Sequence, residues 1–140
     1  MTNTGYVLDD TVLHAYAHGS LTTTSLIVHL TERDVRIAIP ALALSASKAR
    51  LNEDQRESLD GVIDNNGLIE LAGLTTLADT NELADILAAT DHLDIAAAQM
   101  ISVARHFDWE IITHDRGRWR QIEEALPWPI DLVELSNEGP

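Results

Sequence analysis

Five short apolar runs punctuate the chain, and stretches with helical spacing separate each from the next. The runs are YVL at 6–8, VRIAI at 35–39, LIEL at 68–71, EIIT at 110–113 and PIDLV at 129–133. They are short and mostly rich in branched residues, as buried strands are. Between them the spacing predicts helices over Thr11–Ala17, Thr22–Thr31, from Pro40 to Leu51, Glu53–Ile63, Asp79–Ala89, His92–His106 and Asp115–Leu126. Proline suits the first turn of a helix, and DNNG at 64–67 is a turn signal. The expected order is β-α-α-β-α-α-β-α-α-β-α-β. Strands joined through helices need right-handed crossovers, so the fold class is α/β: a three-layer α/β/α arrangement with a mainly parallel five-stranded sheet.

A chain of 140 residues with 45% hydrophobic content accommodates one core. The expected organisation is a single domain over 1–135, followed by a frayed tail at 136–140. There are no cysteines, which excludes disulfides, thiolate zinc sites and cysteine nucleophiles. MTNTGYVLDD lacks the basic and apolar segments of a secretory signal, and no apolar run approaches a membrane span. A soluble, cytoplasmic protein is expected. Nine Lys and Arg against 23 Asp and Glu give a net charge of −14. An even field of that sign repels nucleic acid and anionic membranes. The excess acid either serves solubility or includes groups that bind divalent cations.

Functional groups of parallel sheets gather at the carboxyl ends of the strands. Asp9 follows the first strand and Asp115 the fourth, and Asp94 falls in the first turn of the long helix before the fourth strand. Carboxylates gathered in one cleft need a cation or protons between them, and a hard oxygen cage suits Mg²⁺ or Mn²⁺. Each acid also has a purely structural reading. Asp10 is expected to cap the first helix, which leaves Asp9 free for the cleft. Thr90 or Asp91 is expected to cap the helix from His92, with Asp94 a first-turn acid favoured by the helix dipole. Asp115 is equally suited to capping the helix that follows it.

YVLDDTVLHAYAHG, IAIPALALSASKARL and HLDIAAAQMISVARHFDWEIITHDRGRW, taken in order, resemble the PIN domain family, and the chain matches the size of its VapC-type toxin branch. The resemblance spans nearly the whole chain through three motifs in register, none specific alone. It implies a Mg²⁺- or Mn²⁺-dependent endoribonuclease of a toxin–antitoxin pair. Asp9, Asp94 and Asp115 would be the metal-holding, catalytic acids, supported by Thr11 and Thr113. RNA, a small antitoxin protein and a homodimer would be the partners. The family's remaining acid, a Glu in the helix after the second strand, is absent: Ala46 stands there, between Ser45 and Ser47. Glu53 lies about 10 Å further along a helix axis and is a poor substitute. The resemblance therefore leaves two readings open: a ribonuclease with one metal, and a catalytically impaired module that works by binding protein or nucleic acid.

Arg116, Arg118 and Arg120 follow Asp115 and suit either an RNA backbone or a solvated helix face. Lys48 and Arg50 form a second small basic group. Trp119 is expected to pack under its helix rather than stack on a base, and Phe107, Trp109 and Trp128 to pack against strands. His14 and His18 share a helix face without a third zinc ligand, and His92 and His114 adjoin the acids. A receiver-type phosphoacceptor site fits Asp9 and Asp10 but lacks the Asp after a third strand and the strand-end Lys. No phosphate-binding glycine loop or nucleophile elbow occurs.

Overall fold

The computed structural model describes residues 4–91 and 94–135. Its strands are β1 (Gly5–Leu8), β2 (Arg36–Pro40), β3 (Ile69–Ala72), β4 (Glu110–Thr113) and β5 (Leu132–Glu134). Its helices are α1 (Asp10–Ala17), α2 (Leu21–Glu32), α3 (Ala41–Lys48), α4 (Glu53–Asn65), α5 (Leu77–Thr90), α6 (Ile95–Phe107) and α7 (Arg116–Glu123). The strand order is β3-β2-β1-β4-β5 and every pairing is parallel. The chain first winds from β1 outward to β3, then returns to place β4 on the other side of β1. Right-handed crossovers in opposite directions put their helices on opposite faces, so the sheet is covered twice. The reversal of winding opens a crevice between the carboxyl ends of β1 and β4.

The core follows from this double cover. Val7, Leu8, Ile37, Ile39, Ile111 and Ile112 are almost wholly buried, as strands covered on both faces require. Ala97 and Ala98 have no exposure, and such small side chains let α6 pack close to the sheet. Gly5 permits another close approach: a Cβ there would lie 2.6 Å from the Trp109 ring. That ring stacks on Phe107 with centroids 4.4 Å apart.

Several boundaries differ from the sequence reading. Pro40 ends β2 and forms the N-cap of α3, which stops at Lys48. Its cap supplies no side-chain bond, so Gln99 from α6 reaches across to accept from Leu42 N at 2.9 Å. The same amide donates to Ala72 O at 3.1 Å and so joins α3 to the end of β3. Helix α5 extends through Thr90, and Asp91 leaves it with a φ of 31°. Neither residue caps the next helix; Asp94 does. Helix α7 ends at Glu123, and β5 is shorter and later than PIDLV implied. His92, where the long helix was expected to begin, and the expected tail at 136–140 lie outside the described residues.

Candidate functional site

All three acids singled out in the sequence cap helices at the carboxyl edge of the sheet. Asp9 Oδ1 accepts from Val12 N at 3.1 Å, Asp94 Oδ1 from Ala97 N at 2.8 Å and Asp115 Oδ1 from Arg118 N at 3.1 Å. Thus α1, α6 and α7 point their positive N-terminal ends toward the crevice, an arrangement that favours negative charge there. The expected division of labour between the first two acids is reversed. Asp9, not Asp10, caps α1, because its extended backbone (φ −85°, ψ 177°) is the N-cap conformation and Asp10 already lies within the helix.

Asp9 is fully buried and its two oxygens take three donors. Besides Val12 N, Oδ1 accepts from Thr11 Oγ1 at 2.6 Å, and Oδ2 accepts from Trp119 Nε1 at 2.9 Å. Trp119 is itself fully buried, as its packing role requires, so it presents no face for a base. Thr11 Oγ1 also accepts from His114 N at 2.9 Å and ties α1 to the end of β4. Thr113, buried beside it, accepts from Asp115 N at 2.9 Å. The two threonines therefore position the strand ends and the acids that follow them.

Asp10 faces the crevice instead. Its Oδ1 pairs with Arg118 Nη1 at 2.6 Å, with Asp10 about two-thirds and Arg118 about three-quarters covered. Burial works against the charge on Arg118, but Asp10 foremost, then Asp9 and Asp94, outweigh it and hold the guanidinium more firmly protonated than usual. The same guanidinium lies 4.9 Å from the Trp119 ring centroid. Arg118 is thus folded into the acid cluster rather than aligned with Arg116 and Arg120. Arg120 pairs with Glu123 at 3.0 Å, while Arg116 is exposed.

The mouth beside Asp10 is a cleft of about 490 Å³ lined by Thr11, His14, Ala46, Ser47, Arg50, His114 and Asp115. Ala46 therefore reaches the site but brings no ligand. His14 is held below its usual value of 6.5 by burial first, then by His18 and Arg50, with Asp10 opposing. His114 turns aside: its ring nitrogens lie 3.2 Å from Leu135 O and 3.5 Å from Thr23 Oγ1. Lys48 pairs with Asp60 away from the cleft. A hollow of about 530 Å³ at the opposite edge, around Gly5, Arg36 and Trp109, contains none of the three acids.

These residues do not fit a divalent cation as they are folded. Among the described residues no three His, Asp or Glu side chains converge on one metal position. Asp9 already accepts three hydrogen bonds, and a guanidinium stands among the acids. The sequence missed the inward turn of Arg118 and the indole bond to Asp9. One signal was present: positions three and four after a helix-capping acid share its face, and Arg118 and Trp119 hold those positions.

The all-parallel sheet in the order β3-β2-β1-β4-β5, with helices between its strands, is an α/β fold that solved VapBC structures share. The solved structures that share it include VapBC2 from Rickettsia felis bound to a DNA fragment from their promoter (TM-score 0.67, 12% identity, 94% of this chain and 98% of that one). DNA-bound VapBC from Salmonella typhimurium aligns with a TM-score of 0.66 at 14% identity, over 94% of this chain and 98% of that one. FitAcB from Neisseria gonorrhoeae aligns with a TM-score of 0.60 at 12% identity, over 92% and 96% respectively. No family model and no curated protein matches the sequence. No described helix is long and apolar enough to cross a membrane.

Proposed function

We propose that this chain is a PIN-type module of a toxin–antitoxin-like pair that works by binding a small antitoxin-like protein in the cytoplasm, without metal-dependent RNA hydrolysis. The observation that carries this reading is the occupation of the crevice by Arg118 beside Asp10, Asp9 and Asp94, with uncharged Ala46 on its rim. A hydrolytic centre for phosphodiesters needs an activated water and positive charge placed on the reacting phosphate. Here the partly buried Arg118 guanidinium is already paired with a neighbouring carboxylate. The likeness to VapBC complexes supports a protein partner.

The test is RNA cleavage by pure protein in Mg²⁺ or Mn²⁺, with co-elution of the protein encoded beside it as the binding readout. No cleavage and a defined complex are expected. Metal-dependent cleavage that disappears in Asp9→Asn would overturn the reading.

That outcome would favour a second reading, a Mg²⁺- or Mn²⁺-dependent endoribonuclease acting as a homodimer. Its support is the exposure of Asp94 and Asp115, each with one oxygen outside its capping bond, at the same sheet edge as Asp9. In that reading Asp9, Asp94 and Asp115 hold the ion, Thr11 and Thr113 position them, and Arg116 and Arg120 follow the RNA backbone.

A further inference from the structure

Strand β3 lies at the edge of the sheet and pairs with β2 alone. Ile37 N donates to Leu68 O, so alternation along the strand turns the backbone of Glu70 toward β2 and that of Leu71 outward. An outward N–H and C=O on an edge strand are ready to pair with another chain. The strand holds no Lys or Pro to discourage this, and Leu71 is 53% exposed. Beside the edge runs a groove of about 210 Å³, between β3, the loop after it and helices α5 and α6. It shares no lining residue with the cleft beside Asp10. Leu71 and Leu74 give it apolar surface, and Glu70, Asp79 and Glu82 give it three carboxylates with no Lys or Arg. Asp79 is fixed in place by accepting from Thr75 N at 3.0 Å and Thr76 N at 3.2 Å. Glu82 is partly exposed, but its Oε1 is turned away from solvent and accepts no hydrogen bond. Such an oxygen lacks a donor, and rotation about the last side-chain bond turns it into the groove. Arg105, which lines a neighbouring hollow with Glu82, lies over the Trp128 ring at 3.8 Å instead.

We infer that the outer edge of β3 and the adjoining groove bind an extended segment of a partner protein. The segment adds a strand beside Leu71, lays apolar side chains on Leu71 and Leu74, and sets Lys or Arg against Glu70, Asp79 and Glu82. Charge decides the class of partner. RNA would bring phosphates to these acids, and a second copy of a chain with net charge −14 would bring the same acids. The inference rests on the partner-binding reading above and adds the place and chemistry of the contact.

The probe is a short blocked peptide in which Lys and Val alternate, titrated into the whole chain and followed by hydrogen exchange at single amides. It should bind, and exchange of the Leu71 amide should slow by at least about tenfold at saturation. Glu82→Gln should weaken binding by about tenfold, the scale of one charge-assisted hydrogen bond. Asp131→Asn makes the same change in net charge at an exposed site near β5, and should weaken binding less than about twofold. A peptide in which Glu and Val alternate should not bind. No binding at millimolar Lys–Val peptide, equal losses for the two variants, or binding that leaves Leu71 exchanging as before overturns the inference. So does a chain that elutes as a dimer with its Leu71 amide already protected. If Glu82→Gln does not fold, exchange at Leu71 in the wild type decides alone. RNA cleavage by the chain would defeat the partner-binding reading and leave the peptide result standing. A complex with the protein encoded beside it, formed with Leu71 still exchanging freely, would defeat this inference only.

Discussion

Asp9 shows how a single side chain serves fold and crevice together. It ends β1, caps α1 and receives the Trp119 indole from α7, so three elements meet on one carboxylate. Asp9→Ala leaves a backbone N–H, a hydroxyl and an indole N–H without their acceptor, and should cost about 3 kcal/mol or more in urea unfolding. Asp9→Asn keeps one carbonyl oxygen for the cap but turns its NH₂ toward another donor, so a smaller loss of about 1–2 kcal/mol is expected. Equal costs for the two variants would show that the capping oxygen contributes nothing. His14 gives the residue-scale pH dependence. Its imidazole is held below 6.5 in the fold, so the unfolded chain binds the extra proton first. This contribution is fully present above pH about 6.5 and is lost as pH falls through the lowered folded value. His14→Gln should flatten the fall in melting temperature between pH 7 and pH 5. Asp9 and Asp115 were legible in the sequence because each ends an apolar run. Which of Asp9 and Asp10 caps was not, because the two are adjacent and backbone dihedrals alone decide it.

At the scale of elements, two contacts hold pieces that hydrophobic periodicity does not join. Gln99, almost fully buried in α6, accepts from Leu42 N and donates to Ala72 O, and so supplies the cap that Pro40 lacks. Gln99→Leu fills the space but orphans both backbone groups, and should destabilise by about 2–4 kcal/mol in denaturant unfolding. Gly5 fails for a steric reason. Gly5→Ala drives its methyl into the Trp109 ring, which is backed by Phe107, and should cost about 1–3 kcal/mol. An unchanged melting curve for Gly5→Ala would mean that the stacked pair moves freely. Neither contact was legible, since both join distant parts of the chain. Two caps were legible and went unused: Asn52 with Gln55 and Thr76 with Asp79 both form capping boxes. Asp91 and Asp94 share that spacing, but Asp94 rather than Asp91 is the N-cap of α6. Helix α5 runs through Thr90 before the chain turns at Asp91, which leaves the next cap to Asp94.

Across the whole molecule the order of elements was readable, because short strands alternating with helices admit few topologies and handedness removes most of those. The return of β4 to the side of β1 was not readable, yet it creates the crevice. The charge of −14 acts at this scale too. Among the described residues Lys48, Arg118 and Arg120 pair with acids, and Asp94, Asp115 and Asp131 are among the exposed carboxylates that carry the surplus charge. Like charges on a compact body repel more strongly than on the expanded chain, and this repulsion opposes folding. Salt shortens its reach, from about 10 Å at 0.1 M ionic strength to about 3 Å at 1 M. The Arg118–Asp10 contact is partly buried and is screened much less. Raising NaCl from 0.05 to 0.5 M should therefore increase the melting temperature at pH 7.5 by several degrees. The slope should be steeper for Arg118→Met, which adds one more uncompensated negative charge. A melting temperature that falls with salt would show that attractive surface pairs outweigh the net repulsion. The same field bears on the proposed binding function, because a surface of this charge favours a partner that brings positive charge. Formation of the complex should consequently slow as salt rises, even while the free chain grows more stable.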